Sequence, residues 1–512
     1  MRTFSVLLGA TALLALATPS QAQQSKDTLR LAINDMFGSI DPYHFPHDEA
    51  GSFYRTIYQG LIEFDEYKGE FIPALAKSWK RVSPTVLEFE LRDDVTFHNG
   101  NKFTADDVVA TIDYVSDPKT RIRFKDRYDW AKAEKLSPYK VRITAKQAFA
   151  TDLSALAYRF KMLDAETMKG LDQVSDYGRL TPVATGPYKV ASFDTNDGIM
   201  VERVENYYES SGKFRAPVRR VHGIPIPDRQ TQIAQLLTNG IDLLRNITAD
   251  NERQFQHNPA FKVTPTPSGN LLYVTLDAVG RSGNKLMTDE RVRKAFIMSI
   301  PREEIVKRFV PGGQLAELPL SICFEATVAC EPTTKPYAYD PAQAKKLLAE
   351  AGYPDGVDML MHVFAPIRQI AEAMVGEARK VGFRTSVEPM PLSVYVKKRG
   401  DGEFTAFTGF YPTSAQPDTT NLMDFFFGAD RDYWRDPLIQ NAAKAGEQEF
   451  DLEKRTAIYA PALDRINKAA YIFPVSELPL VFAHPHNVKV MRNPISASES
   501  RLGDYAWSDY KE

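Results

Sequence analysis

Cysteine is nearly absent from this 512-residue chain, which carries two, Cys323 and Cys330. Neither a densely stapled small scaffold nor a cysteine-rich metal domain can be built from so few. Histidine is scarce as well, at eight, and no uninterrupted apolar run reaches the ~18 residues of a membrane-spanning helix. An excess of one charge is also missing: 63 Lys plus Arg stand against 66 Asp plus Glu. With no basic tail or stripe, there is no electrostatic footprint for nucleic acid. The chain also lacks G-x-S-x-G, H-E-x-x-H, G-x-x-x-x-G-K-[ST] and G-x-G-x-x-G. No catalytic residue can be named from it, and nothing in it asks for a cofactor.

What is present starts at the N-terminus. Arg2 precedes an apolar run from Phe4 to Leu16, and Ser20-Gln21-Ala22 follows with small residues. That order is a secretory signal peptide, residues 1–22, too short to cross a bilayer. The mature chain is expected to begin near Gln23, to carry no lipid anchor and to be soluble in the periplasm. Roughly 490 residues then remain, too many for one core. Export also bears on Cys323 and Cys330, which have six residues between them and no further metal ligands close by. In an oxidising compartment the pair is predicted to close a local disulfide, contributing about 2–3 kcal/mol.

Periodicity gives the elements. Leu87, Phe89 and Leu91 alternate with charged residues as in a half-buried strand, and a second short strand is expected through Val95 and Phe97 before Asn99-Gly100. Thr104 and Asp107 form a capping box for a helix whose buried face is Val108, Ile112 and Val115. Asp340 is an N-cap followed by Pro341 at the first helical position, and Gln343 completes a capping box, for a helix through Ala344, Leu347, Leu348 and Ala351 that Gly352 and Pro354 stop. Met359–Phe364, Ile367–Val381 and Phe383–Glu388 read as strand, helix and strand, a right-handed crossover in a parallel sheet. A similar step runs from Ile233, Leu236 and Leu237 through Gly240 to a strand at Ile241–Leu244. Two separate α/β regions suggest two lobes. The close histidine pairs, His44 with His47 and His484 with His486, flank prolines and have no third ligand nearby, so they are read as solvated loop residues and no metal is expected.

Leu91 to Val109 (LRDDVTFHNGNKFTADDVV) resembles the signature of the extracellular solute-binding proteins that serve peptide, nickel and opine importers. Four more segments stand in that family's order: TGPYKV at 185–190, NGIDL at 239–243, LMTDERVRKAF at 286–296 and YDPAQAKKLLAEAGYP at 339–354. The resemblance implies an α/β fold of two lobes, mixed sheets with flanking helices, closing on a ligand. It implies lobe 1 from 23–45, 186–268 and 483–512, an extra α/β subdomain of that lobe at 46–185, and lobe 2 at 269–482. It further implies that the protein is a monomer that performs no chemistry and hands a small-molecule ligand to an inner-membrane ABC permease with its ATPase.

Site residues follow from the same resemblance. Peptide-binding relatives place an Asp, which pairs with the ligand's α-ammonium, soon after a Trp. Here Phe410 stands near the Trp position, and Thr413 and Ser414 lie where that Asp is expected. Asp418 substitutes if the loop shifts by a few residues. Phe410 and Tyr411 are either a wall against the ligand or core. Phe37 and Phe45 follow the first strand, Thr28–Ile33, in a stretch that contributes to the family's cleft. Arg368 either meets a ligand carboxylate through its bidentate fork or is a solvated helix residue. The consecutive Phe425, Phe426 and Phe427 cannot share one direction and are read as core. The ligand expected is a small polar molecule: a modified peptide, an opine-like conjugate or a sugar-containing compound. An ordinary peptide receptor is the alternative. Rival classes are a periplasmic hydrolase and an accessory that binds a protein partner on the same fold. The export reading is checked by N-terminal sequencing of the secreted protein, which should begin near Gln23; a chain starting at Met1 overturns it.

Overall fold

The computed structural model describes residues 27–34, 36–44, 48–65, 70–122, 125–180, 182–208, 214–412, 417–428, 432–491 and 501–511. The signal segment, Phe45, His47, Thr413 and Ser414 lie outside the described residues. The fold is mixed α/β and divides into two lobes, each around its own buried cores.

The first lobe carries two four-stranded sheets. In one, Thr28–Ile33 pairs in parallel with Arg220–Pro225, which pairs antiparallel with Gly198–Arg203, and Tyr188–Asp194 closes the edge. The other is antiparallel throughout, in the order Ala76–Ser83, Val86–Leu91, Lys140–Ala145, Ala131–Ser137. Leu87, Phe89 and Leu91 point inward as their alternation requires. The helix Ala105–Ser116 covers that sheet, and Thr104 and Asp107 make the reciprocal capping box at its start. Leu29, Leu31, Val221, Phe89, Val108, Ile112 and Val141 belong to one continuous apolar cluster, so the two sheets share a core. Each such side chain removed from water contributes about 1.5–3 kcal/mol against the entropy of ordering it.

The second lobe is built on a five-stranded sheet in the order Phe383–Met390, Val357–Phe364, Ala406–Tyr411, Leu271–Leu276, Ile472–Glu477. The first three strands are parallel and the last two run antiparallel to their neighbours. The helix Arg368–Lys380 makes the expected crossover, burying Ile370, Met374 and Ala378. Successive residues of the strand Leu271–Leu276 serve opposite cores: Leu272 and Val274 join Met361, Val363 and Phe383, whereas Leu271 and Tyr273 join Phe407, Phe426 and Leu463. A sheet covered on both faces accounts for its near-continuous apolar strands.

Several local expectations need correcting. Val95 and Phe97 flank a single bridge between Thr96 and Lys102 in place of a strand, because the Asn99-Gly100 turn reverses the chain at once. Ile241–Leu244 is likewise not a full strand: Leu243 bridges to Leu31 and Leu244 to Ala483, two different neighbours, so no ladder propagates. The helix Arg229–Leu237 before it buries Ile233 and Leu236 and leaves Leu237 exposed. His484 is not a solvated loop residue. It lies on the strand Leu480–Pro485, buried, with Nε2 against the Thr264 hydroxyl. His44 sits between the Asp41 carboxylate at 3.0 Å and the Tyr114 hydroxyl at 2.9 Å.

His98 supplies a pH dependence. Its Nε2 donates to the Gly186 carbonyl at 2.9 Å, and burial pulls the imidazole down to about 4. Between about pH 6.5 and 4 the unfolded chain binds a proton at this ring that the folded chain does not, so stability falls as pH is lowered through that window. Thermal melts at pH 7 and pH 4.5 should show a smaller acid-induced loss in His98→Gln than in the wild type; equal losses would exclude His98 as the source.

Candidate ligand-binding cleft

The chain passes from the first lobe to the second at residues 267–270 and returns at 478–479. On the first-lobe side of both crossings, Phe261–Thr266 pairs antiparallel with Leu480–Pro485; on the other side, Leu271–Leu276 pairs with Ile472–Glu477. The crossings are bonded to each other. One Glu477 carboxylate oxygen accepts from the amides of Ser268 at 2.7 Å and Gly269 at 3.0 Å. The Ser268 hydroxyl donates to the Leu478 carbonyl, and the Leu478 amide donates to the Asn270 carbonyl at 2.8 Å. Gly269 has φ of 65°, in the left-handed region that a side chain disfavours. Neighbouring Glu317 is pushed above the usual carboxylate range by burial, with the nearby Glu477 charge adding to the shift. Such a pair of short, mutually bonded strands is a hinge in its construction.

In open α/β sheets, ligands bind beyond the carboxyl ends of parallel strands. In the second lobe those ends are Phe364, Met390 and Tyr411. In the first lobe the parallel strand Thr28–Ile33 leads into the 34–44 segment that holds Phe37 and Asp41. Both lobes therefore present the C-terminal end of a parallel strand, followed by a loop, as cleft-forming candidates.

The expected site residues fall into distinct environments. Phe410 packs on Phe364, with ring centroids 5.6 Å apart, and Tyr411 rests on Phe425 at 4.5 Å. Both are half-buried at the end of the central strand. Phe37 is 3% exposed and lies between Phe53 and Phe193, inside the first-lobe core. Arg368 is an exposed first-turn residue whose Nε donates to Glu372 at 2.7 Å, one turn further along the helix. Phe426 and Phe427 are core and Phe425 is partly buried, as their consecutive spacing requires.

Asp418 is the informative case. It caps the helix Thr419–Phe427, one carboxylate oxygen accepting from the Thr420 amide at 2.8 Å. The other accepts from Arg455 at 2.9 Å, both side chains being 7% exposed. Burial pushes the Asp418 carboxyl up, against the pull of the guanidinium. Both oxygens are thus engaged inside the second lobe. Arg455 was not among the residues expected to matter; it stands on the long helix Leu452–Lys468, 37 positions away, and no local pattern announces the pairing.

Cys323 and Cys330 form a disulfide, with Cα atoms 6.0 Å apart. The loop it closes grips the same segment: the Val328 amide donates to the Pro417 carbonyl at 2.7 Å, and the Val328 carbonyl accepts from the Thr419 amide at 2.9 Å and its hydroxyl at 3.0 Å. Sequence reasoning found the bridge but not what it holds. Among the described residues, no group of three His, Cys, Asp or Glu could hold a metal ion, and no helix is long and apolar enough to cross a membrane.

Two lobes, a two-strand hinge and loops at the carboxyl ends of parallel strands define a hinged binding protein of the periplasmic class. Residues 70–434 match the family described as bacterial extracellular solute-binding proteins, family 5 Middle, and the chain belongs to that family. It is 26% identical over 513 residues to the glutathione-binding protein GsiB of Escherichia coli (strain K12), covering 95% of each chain. Among solved structures it resembles NikA from Brucella suis in complex with Fe(III)-EDTA, with a TM-score of 0.83 at 21% identity over 94% of this chain and 100% of that one. It also resembles the ABC transporter-associated periplasmic binding protein DppA from Helicobacter pylori in complex with peptide STSA, at 0.76 and 22% over 94% and 98%.

The buried pair yields a stability test. Arg455→Met should cost about 3–5 kcal/mol in denaturant unfolding, because it leaves the Asp418 carboxylate without its partner. The Asp418→Asn/Arg455→Met double variant should regain part of that loss. Additive losses would show that the two side chains do not depend on each other.

Proposed function

We propose that this solute-binding protein captures a small polar solute outside the inner membrane, closes its lobes on it and presents it to an ABC permease driven by its ATPase. It acts as a monomer, without transforming the solute and without a nucleic-acid partner. The lobe division expected above is supported by the separate apolar clusters. The return border is better drawn before Leu480 than at 483, since Leu480 and Phe482 join the first-lobe core.

The observation that carries the ligand reading is the engagement of Asp418 with Arg455 and the helix start. If Thr413 and Ser414 occupy the place of the amine-binding Asp, the loop offers hydroxyls and no spare carboxylate to an incoming ammonium. A hydroxyl makes a bond roughly half as strong as a charge-assisted one. Solutes whose amino end is neutral overall suit such a loop better than ordinary peptides. A modified peptide meets that condition when its end is N-substituted, or when it is γ-linked and keeps its own α-carboxylate beside the ammonium. The likeness to glutathione-binding GsiB favours this subset of the modified peptides; an opine-like or sugar-containing compound fits the same chemistry.

Calorimetry against glutathione, an opine, alanyl-alanine and N-acetyl-alanyl-alanine tests the reading. Free dipeptide should bind roughly thirtyfold or more weakly than the best of the others, as expected when a charged partner is missing. Tight dipeptide binding, abolished by acetylation and by Asp418→Asn, would instead make the protein an ordinary peptide receptor.

A further inference from the structure

The two lobes touch at a second place, remote in sequence from the hinge. Arg81, on the strand Ala76–Ser83 of the first lobe, is held by Asp152 in a bidentate pair at 2.8 and 2.7 Å. Asp152 opens the helix Asp152–Arg159 and is almost fully buried. So fixed, the guanidinium lies over the ring of Phe450, 4.4 Å from its centre. Phe450 belongs to the second lobe, in the turn between the helices Pro437–Gln448 and Leu452–Lys468. Beside this stack, the Ala150 amide donates to the Glu447 carbonyl at 2.7 Å, again from one lobe to the other. The Ala150 loop is itself anchored, because Phe149 packs edge-on against Trp130 at 4.7 Å.

We infer that Arg81, Ala150, Glu447 and Phe450 form a latch that holds the lobes in their closed arrangement. The inference rests on the hinged-cleft reading but not on any particular solute. The two halves stand on different lobes, so hinge rotation must break the hydrogen bond and the stack together. Neither half has to be organised at the moment of closure: the bidentate pair orients the guanidinium, and the turn between two helices orients the ring. A latch of this kind raises the closed fraction of the empty protein. Apparent solute affinity is intrinsic affinity scaled by that fraction, so the latch sets affinity without touching the ligand.

The test uses the empty, full-length mature protein. The native cysteines are bonded to each other, so Ala150→Cys/Glu447→Cys introduces the two free thiols. A disulfide spans roughly 4.4–6.8 Å between Cα atoms, which suits residues joined by a backbone hydrogen bond. Under mild oxidant and with no solute added, the double variant should lose both thiols and shift on a non-reducing gel. Adding Phe450→Ala should slow the cross-link about two- to fivefold, the factor a partly exposed cation–π contact represents. Each single cysteine variant is labelled with maleimide and checked by circular dichroism, to show that it is folded and reachable. Persistence of both thiols in the folded double variant overturns the latch, and an unchanged rate with Phe450→Ala overturns the role of the stack. Since no solute is used, the latch can fail while the calorimetric reading stands, and the reverse.

Discussion

The bonding of one carboxylate across the hinge is the constraint on which the rest depends. Glu477 ends a strand of the second lobe, yet its oxygen is shared by the amides of Ser268 and Gly269, which stand on the other crossing. Two short segments that would otherwise be independent loops thereby move as one unit. Charge-assisted bonds to backbone amides are among the stronger polar contacts a protein makes. They leave rotation about the crossings as the soft coordinate and resist sliding of one lobe past the other. Separate cores on either side of residues 267–270 and 478–479 complete the arrangement, since among the described residues no apolar cluster extends across.

Within the second lobe, rigidity converges on one short segment. The central strand Ala406–Tyr411 is flanked on both sides in the sheet, and it ends in a half-buried aromatic pair. Seven residues on, Asp418 is pinned by a helix start and by Arg455, while the disulfide loop holds Pro417 and Thr419. The chain at 417–419 is thus fixed from three directions: by the helix it starts, by Arg455 and by the cross-linked loop.

Much of the fold was legible in the sequence wherever the determining interaction is local. The Thr104–Asp107 box, the Asp340-Pro341 start and the crossover from Met359 to Glu388 all depend on residues a few positions apart, and the structure reproduces each, except that Gln343 does not complete a box: the Asp340 amide donates to the Met298 carbonyl instead. What escaped is non-local. Ile241–Leu244 has the composition of a strand, but its two neighbours lie on strands of different sheets and give it single bridges. His484 reads as a loop residue beside Pro485 until Phe261–Thr266, over two hundred positions earlier, covers it. Phe410 and Tyr411 were placed by the family resemblance alone, and the strand they end was not read from the sequence. The engagement of Asp418 by Arg455 escaped as well, because an ion pair across 37 residues leaves no periodic trace.

The disulfide loop also ties the segment after the central strand to the oxidation state of a single bond. The cross-link joins residues seven apart, too short a span to matter much for the cohesion of the whole lobe. Its leverage lies in Val328, which borders the segment after the central strand. With that link open, only the hydrogen bonds of Val328 to Pro417 and Thr419 would hold this border in place.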